Sequence, residues 1–287
     1  AGQISYKGQP IKNFYIEGLD LMKGRYGIAT NNIDPNSIST IEVLENHQDI
    51  KALKDLKPEE RASINLKLKS GVKGVFNLIA TLGGGYVDKL LWDNELITTY
   101  FQRNSQLLAT YKGNNSGTDL ESELRSHTDY DYSRTSTISD IAMPATPGIN
   151  KRYYYFNQSH SATYNQVFRV GKNGELGINA AYLNDRDERS NQSVTTTLLP
   201  DGSKNVVDES FNGILHRNIA NGNITYMQNT ERNYIKEQLK FDWLSTDGYS
   251  NIYAGEDIIQ ENNVENYRLH NLFHLTSRTG SDKGVEF

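Results

Sequence analysis

The apolar positions change their spacing near residue 70. Before it, short apolar runs at Asn13 to Ile16, Ile38 to Leu44 and Ile64 to Leu68 alternate with charged or turn-forming segments. That texture predicts a small unit of short strands with some helix. Asp49 to Ala62 is the best helix candidate, with Ile50, Leu53 and Leu56 on one side and Pro58 as its breaker. After residue 70 helical periodicity disappears, and period-2 alternation takes over. Ile235, Leu239, Phe241 and Trp243 fall on one face of a strand, while Lys236, Gln238, Lys240 and Asp242 fall on the other. Leu176, Ile178, Ala180 and Tyr182 likewise face away from Gly177, Asn179 and Ala181. Turn dipeptides at Asn173-Gly174, Asp201-Gly202, Asn221-Gly222 and Asp247-Gly248 suit either one long strand plus a loop, or two strands of about 9 to 11 residues, per interval. The expectation is a mainly β chain with an α+β unit at residues 1–70 and long antiparallel strands over 71–287.

Alternation alone does not choose between water and lipid outside such a sheet, because a soluble sandwich gives it too. Two features favour lipid. Aromatics cluster beside strand ends at Tyr153, Tyr154, Tyr155, Phe156, Trp243, Tyr249 and Tyr253, where an interfacial girdle would stand. Connections are also unequal: Gly171 to Gly174 is tight, whereas Gly113 to Asn150 is long and polar, with Asp119, Glu121, Glu123, Asp129 and Asp131.

Composition removes several function classes. A formal charge of −5 argues against nucleic acid as a partner, since that affinity needs a basic face. The chain has no cysteine, which excludes disulfides, thiolate metal sites and a cysteine nucleophile. No stretch approaches the roughly 18 apolar residues of a membrane helix, so a membrane role requires strands or a peripheral surface.

Candidate chemistry is sparse. His270 and His274 are four apart, but Arg268 to Thr276 reads as strand, where that spacing separates them by about 13 Å. Leu82-Gly83-Gly84-Gly85 lacks the Lys-Ser/Thr of a phosphate loop and reads as strand. The acids from Asp119 to Asp131 lack calcium-loop spacing, and Asp185-Arg186-Asp187-Glu188-Arg189 reads as a hydrated rim. No Gly-x-Ser-x-Gly turn is present, so no enzyme and no cofactor is expected.

The run from Ile16-Glu17-Gly18 through Asn31-Asn32-Ile33-Asp34-Pro35 to Ile38-Ser39-Thr40-Ile41-Glu42-Val43-Leu44, followed by Ile64-Asn65-Leu66-Lys67, resembles the plug domain of TonB-dependent outer-membrane transporters. Gly24 to Ile33 and Ile41 to Gln48 are most similar to SusC-like, Bacteroidetes-type receptors. The first ten residues contain no TonB-contacting box.

The resemblance implies a plug followed by the first part of a transmembrane β-barrel in the outer membrane of a Gram-negative bacterium. The residues beyond 70 are enough for roughly 8 to 10 barrel strands, far fewer than the roughly 22 that enclose a plug, so the barrel is expected to be incomplete in this chain. It further implies TonB-dependent uptake of a scarce or bulky nutrient, with TonB and its inner-membrane energising complex, outer-membrane lipid, a small-molecule, glycan or peptide ligand and a surface lid lipoprotein as partners. Within it, the loop from Lys23 to Asn32, with Arg25, Tyr26, Asn31 and Asn32, is the candidate apex facing the substrate or touching the wall. Two other readings stand beside it: a surface-exposed or soluble β-rich module binding glycans on Tyr153 to Phe156, and a secreted β-rich hydrolase.

Overall fold

The computed structural model describes residues 3–126, 141–150, 153–279 and 284–286. Asp129, Asp131 and Phe287 lie outside the described residues. The fold is mainly β, in two layers: a small N-terminal unit and a large curving sheet against which it packs.

The N-terminal unit contains β1 (Ser5–Tyr6), β2 (Gln9–Pro10), β3 (Phe14–Ile16), α1 (Tyr26–Asn32), β4 (Ile38–Leu44) and β5 (Ser63–Leu68). β5 lies between β3, to which it is parallel, and β4, to which it is antiparallel. Ile16, Leu19, Leu21, Met22 and Tyr26 form its interior. The expected loop at 23–32 is a helix for most of its length. Tyr26, Ala29 and Ile33 recur at helical spacing on a buried face, and the helix stops where Asp34 is held extended before Pro35.

The helix expected over Asp49 to Ala62 does not form. Only one 3-10 turn occurs there, at Lys51–Leu53. Pro58 offers no N–H and forces its predecessor out of helical geometry, and Ile50, Ala52 and Leu53 are buried against Tyr234 of the sheet instead. Burial on a tertiary partner has replaced helical continuity.

The large sheet comprises β6 (Phe76–Val87), β7 (Lys89–Phe101), β8 (Ser105–Asn114), β9 (Phe156–Val170), β10 (Gly174–Leu198), β11 (Lys204–Asn229), β12 (Asn233–Tyr253), β13 (Asp257–Arg278) and β14 (Gly284–Glu286). Each pairs antiparallel with its neighbour in sequence, giving a nine-stranded meander. Among the described residues β6 and β14 each have a neighbour on one side alone, so the sheet is open.

Two of the four expected turns are turns: 171–173 joins β9 to β10, and Gly202, with φ +81°, sits in the β10–β11 hairpin. The other two dipeptides lie inside strands of 26 and 21 residues. Gly222 is opposite Phe241, and a Cβ there would meet only the Phe241 Cβ, at an ordinary 3.9 Å. A Cβ at Gly248 would come within 2.9 Å of Ile141. Gly248 permits a close approach rather than a reversal.

One rim carries the tight connections 102–104, 171–173 and 230–232. The other carries the one-residue connection at Asp88, the short connections 199–203 and 254–256, the long connection between β8 and β9, and the extensions of β10 to β13.

Candidate functional site

The two faces of the large sheet are inverted relative to a water-soluble sheet. The covered face is polar: Asn157, Ser159, Ser161, Thr163 and Asn165 alternate along β9, and Asn179, Asp185, Asn221, Thr225 and Gln238 follow on later strands, all buried. The opposite face is apolar and exposed, with Leu78, Tyr164, Ile224, Leu239, Phe241, Leu269 and Phe273.

Register arranges this exposed face into rows. Tyr111, Ala162, Tyr182, Ala220, Trp243 and Tyr267 are successive cross-strand partners on β8 to β13. Nearer the tight-turn rim, Phe168, Leu176, Tyr226, Glu237 and Phe273 form a second row. On β10 the rows are six residues apart, from Leu176 to Tyr182, or about 20 Å of strand. That is comparable with the roughly 25 Å apolar band of an outer-membrane wall. Of the aromatics singled out in the sequence, Trp243 belongs to a row. Tyr249 and Tyr253 lie farther along β12, and Tyr155 is buried on the inner side.

The N-terminal unit covers the polar face. Phe101, Leu108 and Val167 of β7, β8 and β9 enter its hydrophobic cluster. Around that contact, wall amides grip its backbone: Gln106 Nε2 donates to Ile16 O at 2.8 Å, and Asn179 Nδ2 donates to Leu21 O at 2.9 Å. At the tight-turn rim, Asn229 Nδ2 donates to Asp49 O at 2.7 Å, while its Oδ1 accepts the Lys51 N–H at 3.0 Å. Asn229 is a junction that no sequence motif marks.

Within the unit, Lys12 Nζ bridges Asp49 at 2.5 Å and Glu59 at 2.6 Å, tying the ends of the 46–61 segment together. Burial opposes the Lys12 charge, but these two carboxylates win and hold its pKa above the ordinary lysine value. Burial likewise opposes the Glu17 carboxylate. The Leu68 N–H at 2.6 Å and Lys73 at 3.0 Å outweigh it, so Glu17 titrates below the usual range.

Of the residues expected at the apex, Tyr26 and Asn32 are interior and Asn31 is exposed, with Arg25 half-buried. Tyr26 stacks on Phe14 with centroids 5.7 Å apart and accepts the Ile4 N–H at 3.1 Å. Asn32 donates to Ile28 O at 2.7 Å. α1 packs beside the short 3-10 helix Glu121–Leu124, whose Leu124 joins the shared core. The structure therefore brings Tyr26 and Asn32 into the packing of the unit itself.

Asp185 to Arg189 is strand, and the expected hydrated rim is half wrong. Arg186 and Glu188 point outward, but Asp185 and Asp187 are buried on the inner face. Asp185 accepts hydrogen bonds from Tyr155 Oη at 2.7 Å, Ser159 Oγ at 2.6 Å and Arg217 Nη2 at 2.6 Å. Arg217 also reaches Glu121 at 3.0 Å, fastening the 115–126 segment to the wall. Alternation in the sequence shows which residues share a face, but a charged run gives no sign of being covered by a distant segment.

Further along the same face, residues 141–145 cross β11 and β12. A Cβ at Gly213 would fall 2.5 Å from Met143 Sδ, and Ala142 N–H donates to Gln260 Oε1 at 3.2 Å. Both described ends of the long connection thus fold onto the inner surface.

His270 and His274 are on one face of β13, as strand spacing requires. Leu82 to Gly85 lies in β6. Of the aromatic run proposed as a stacking platform, Tyr153 and Phe156 are exposed, whereas Tyr155 is committed to Asp185.

No family model matches this chain, and no curated protein matches it. The solved structures it is similar to include one titled "Copper transporter OprC", at 9% identity and a TM-score of 0.24, over 96% of this chain and 46% of that one. The chain thus spans about half the length of that structure. Similarity at this level carries no argument about function.

Proposed function

We propose that this chain supplies the plug and part of the wall of an outer-membrane transporter. The observation that carries the reading is the inverted sheet: a polar face covered by a separate small unit, and an apolar, aromatic-edged face left exposed. Water outside the sheet would make that exposure costly, at roughly 25 cal/mol per Å² of apolar surface, whereas lipid outside removes the cost. Buried polar groups on the inner face find partners in one another and in the unit that fills the interior.

On this reading the N-terminal unit occludes the lumen, and its contacts with the wall are the ones that must yield for a solute to pass. The work comes through TonB from the inner membrane, as the plug resemblance implies, and no covalent chemistry is involved. A scarce or bulky nutrient is taken from the long-strand rim to the tight-turn rim. A lid lipoprotein over the long-strand rim belongs to the same proposal.

The test is membrane fractionation of the native full-length protein. It should be recovered from outer membranes with heat-modifiable migration on gels. Ile224→Arg, in the middle of the exposed band, should reduce insertion by the about 2–4 kcal/mol expected for a midplane cation. Full solubility without detergent, or indifference to Ile224→Arg, would overturn the reading.

A further inference from the structure

Between the N-terminal unit and the wall, at the tight-turn rim, lies a cavity of about 400 Å³. That volume is within the roughly 300–1,000 Å³ of small-molecule sites. Its lining is cationic although the chain as a whole carries −5. Lys23 and Lys51 come from the N-terminal unit, and Arg169, Lys172 and Lys236 from the wall.

The acids of the lining, Asp20, Asp49 and Glu175, are fewer, and two are already engaged. Asp49 is held by Lys12 at 2.5 Å, and Asp20 accepts the Lys23 N–H at 2.9 Å. Glu175 lies opposite Arg169 in the β9–β10 ladder. Lys51, Arg169 and Lys172 make no ion pair within 4 Å among the described residues. Asn173 and Tyr234 add neutral hydrogen-bonding groups to the lining.

Five cations against three acids, in a recess walled by two bodies, form a receptor for negative oxygen atoms. A guanidinium also offers a planar fork for a phosphate or carboxylate. We propose that this cavity binds a small multivalent oxyanion, bearing phosphate or carboxylate groups, between plug and wall. As a statement about the transported class it rests on the transport reading above; as a binding site it stands by itself. Because the cavity lies on the inner face of the sheet, the ligand is a soluble anion rather than a lipid headgroup.

The experiment uses full-length protein in a zwitterionic detergent free of phospholipid, with inorganic pyrophosphate as the phosphate probe and citrate as the carboxylate probe, read by titration calorimetry. Saturable binding of either probe is expected, weakened at least tenfold by Arg169→Gln with Lys172→Gln. These residues are exposed beside a turn, so heat-modifiable migration should be unchanged and will show that the wall is intact. Arg103→Gln and Arg232→Gln, on the neighbouring tight turns outside the cavity, should leave binding within about twofold.

Absence of saturable binding by intact protein would overturn the site. Equal weakening by the Arg103 and Arg232 variants would do the same, since diffuse rim charge would then explain the affinity. Anion binding by a protein absent from outer membranes would sink the transport reading while leaving the site in place.

Discussion

Leu108 and Leu107 are adjacent on β8 and face opposite sides of the sheet. Leu108 is completely buried in the cluster shared with Ile16, Leu19, Phe101 and Val167. Leu107 is on the outward face, in register with Tyr100 and Gln166. Truncating a fully buried leucine removes its transfer free energy and leaves a cavity, about 2–5 kcal/mol in total. Here that cost falls on the docking of the N-terminal unit against the wall, because that docking is what buries the side chain. A midrange value of about 3 kcal/mol corresponds to roughly a hundredfold more frequent undocking.

None of these 287 residues is a cysteine, so an introduced thiol is the one thiol among them. A thiol placed by Val167→Cys, on the buried wall face of the same cluster, reacts with a maleimide when the unit lifts. Leu108→Ala should raise the labelling rate about a hundredfold, and Leu107→Ala should leave it within about threefold. Equal effects from the two substitutions, or none from Leu108→Ala, would show that the unit does not seal this face.

Asp185→Ala leaves Arg217 with Glu121 and removes the acceptor of Tyr155 and Ser159, and should cost about 1–3 kcal/mol, seen as a lower unfolding midpoint that Glu188→Gln, on the outward face, does not reproduce. Gly213→Val drives a side chain into Met143, so a cysteine introduced by Ile141→Cys, at a buried position of the same segment, should change from slow to fast labelling. Lys12→Ala leaves Asp49 and Glu59 facing each other and should destabilise the N-terminal unit by about 1–3 kcal/mol, between the exposed and buried cases. Glu17 titrates lower when folded, so its contribution is complete above the unfolded glutamate value of about 4.3 and is lost as pH falls through the lower folded value. Hydrogen exchange in β5 should accelerate below about pH 4, and Glu17→Gln should flatten that dependence. Lys12 has the opposite sign, its contribution being complete below about pH 10.4 and fading at higher pH.

Period-2 alternation was sufficient to recognise strand at Leu176 to Tyr182 and Ile235 to Trp243, because a strand must put successive side chains on opposite faces. It also assigned Leu176, Ile178 and Tyr182 to one side and Asn179 to the other. Local signals failed where a distant segment supplied the deciding contact. Asn221-Gly222 and Asp247-Gly248 carry turn chemistry, yet the strands run through them, since a glycine paired inside a strand, such as the one that accommodates Ile141, looks in sequence like one that reverses the chain. Asp49 to Ala62 had helical spacing, but Tyr234 buries Ile50 and Leu53 without a helix.

The covered face of the sheet was a tertiary decision as well. Asp185 looks hydrated in sequence, and only the approach of Tyr155, Ser159 and Arg217 shows it enclosed. The cationic cavity depends on Lys23 and Lys51 meeting Arg169, Lys172 and Lys236 across 118 to 213 positions of chain, a juxtaposition no window of sequence contains. Backbone geometry fixes what lies next to what along a strand. Which surface is shielded depends on the body that comes to rest against it.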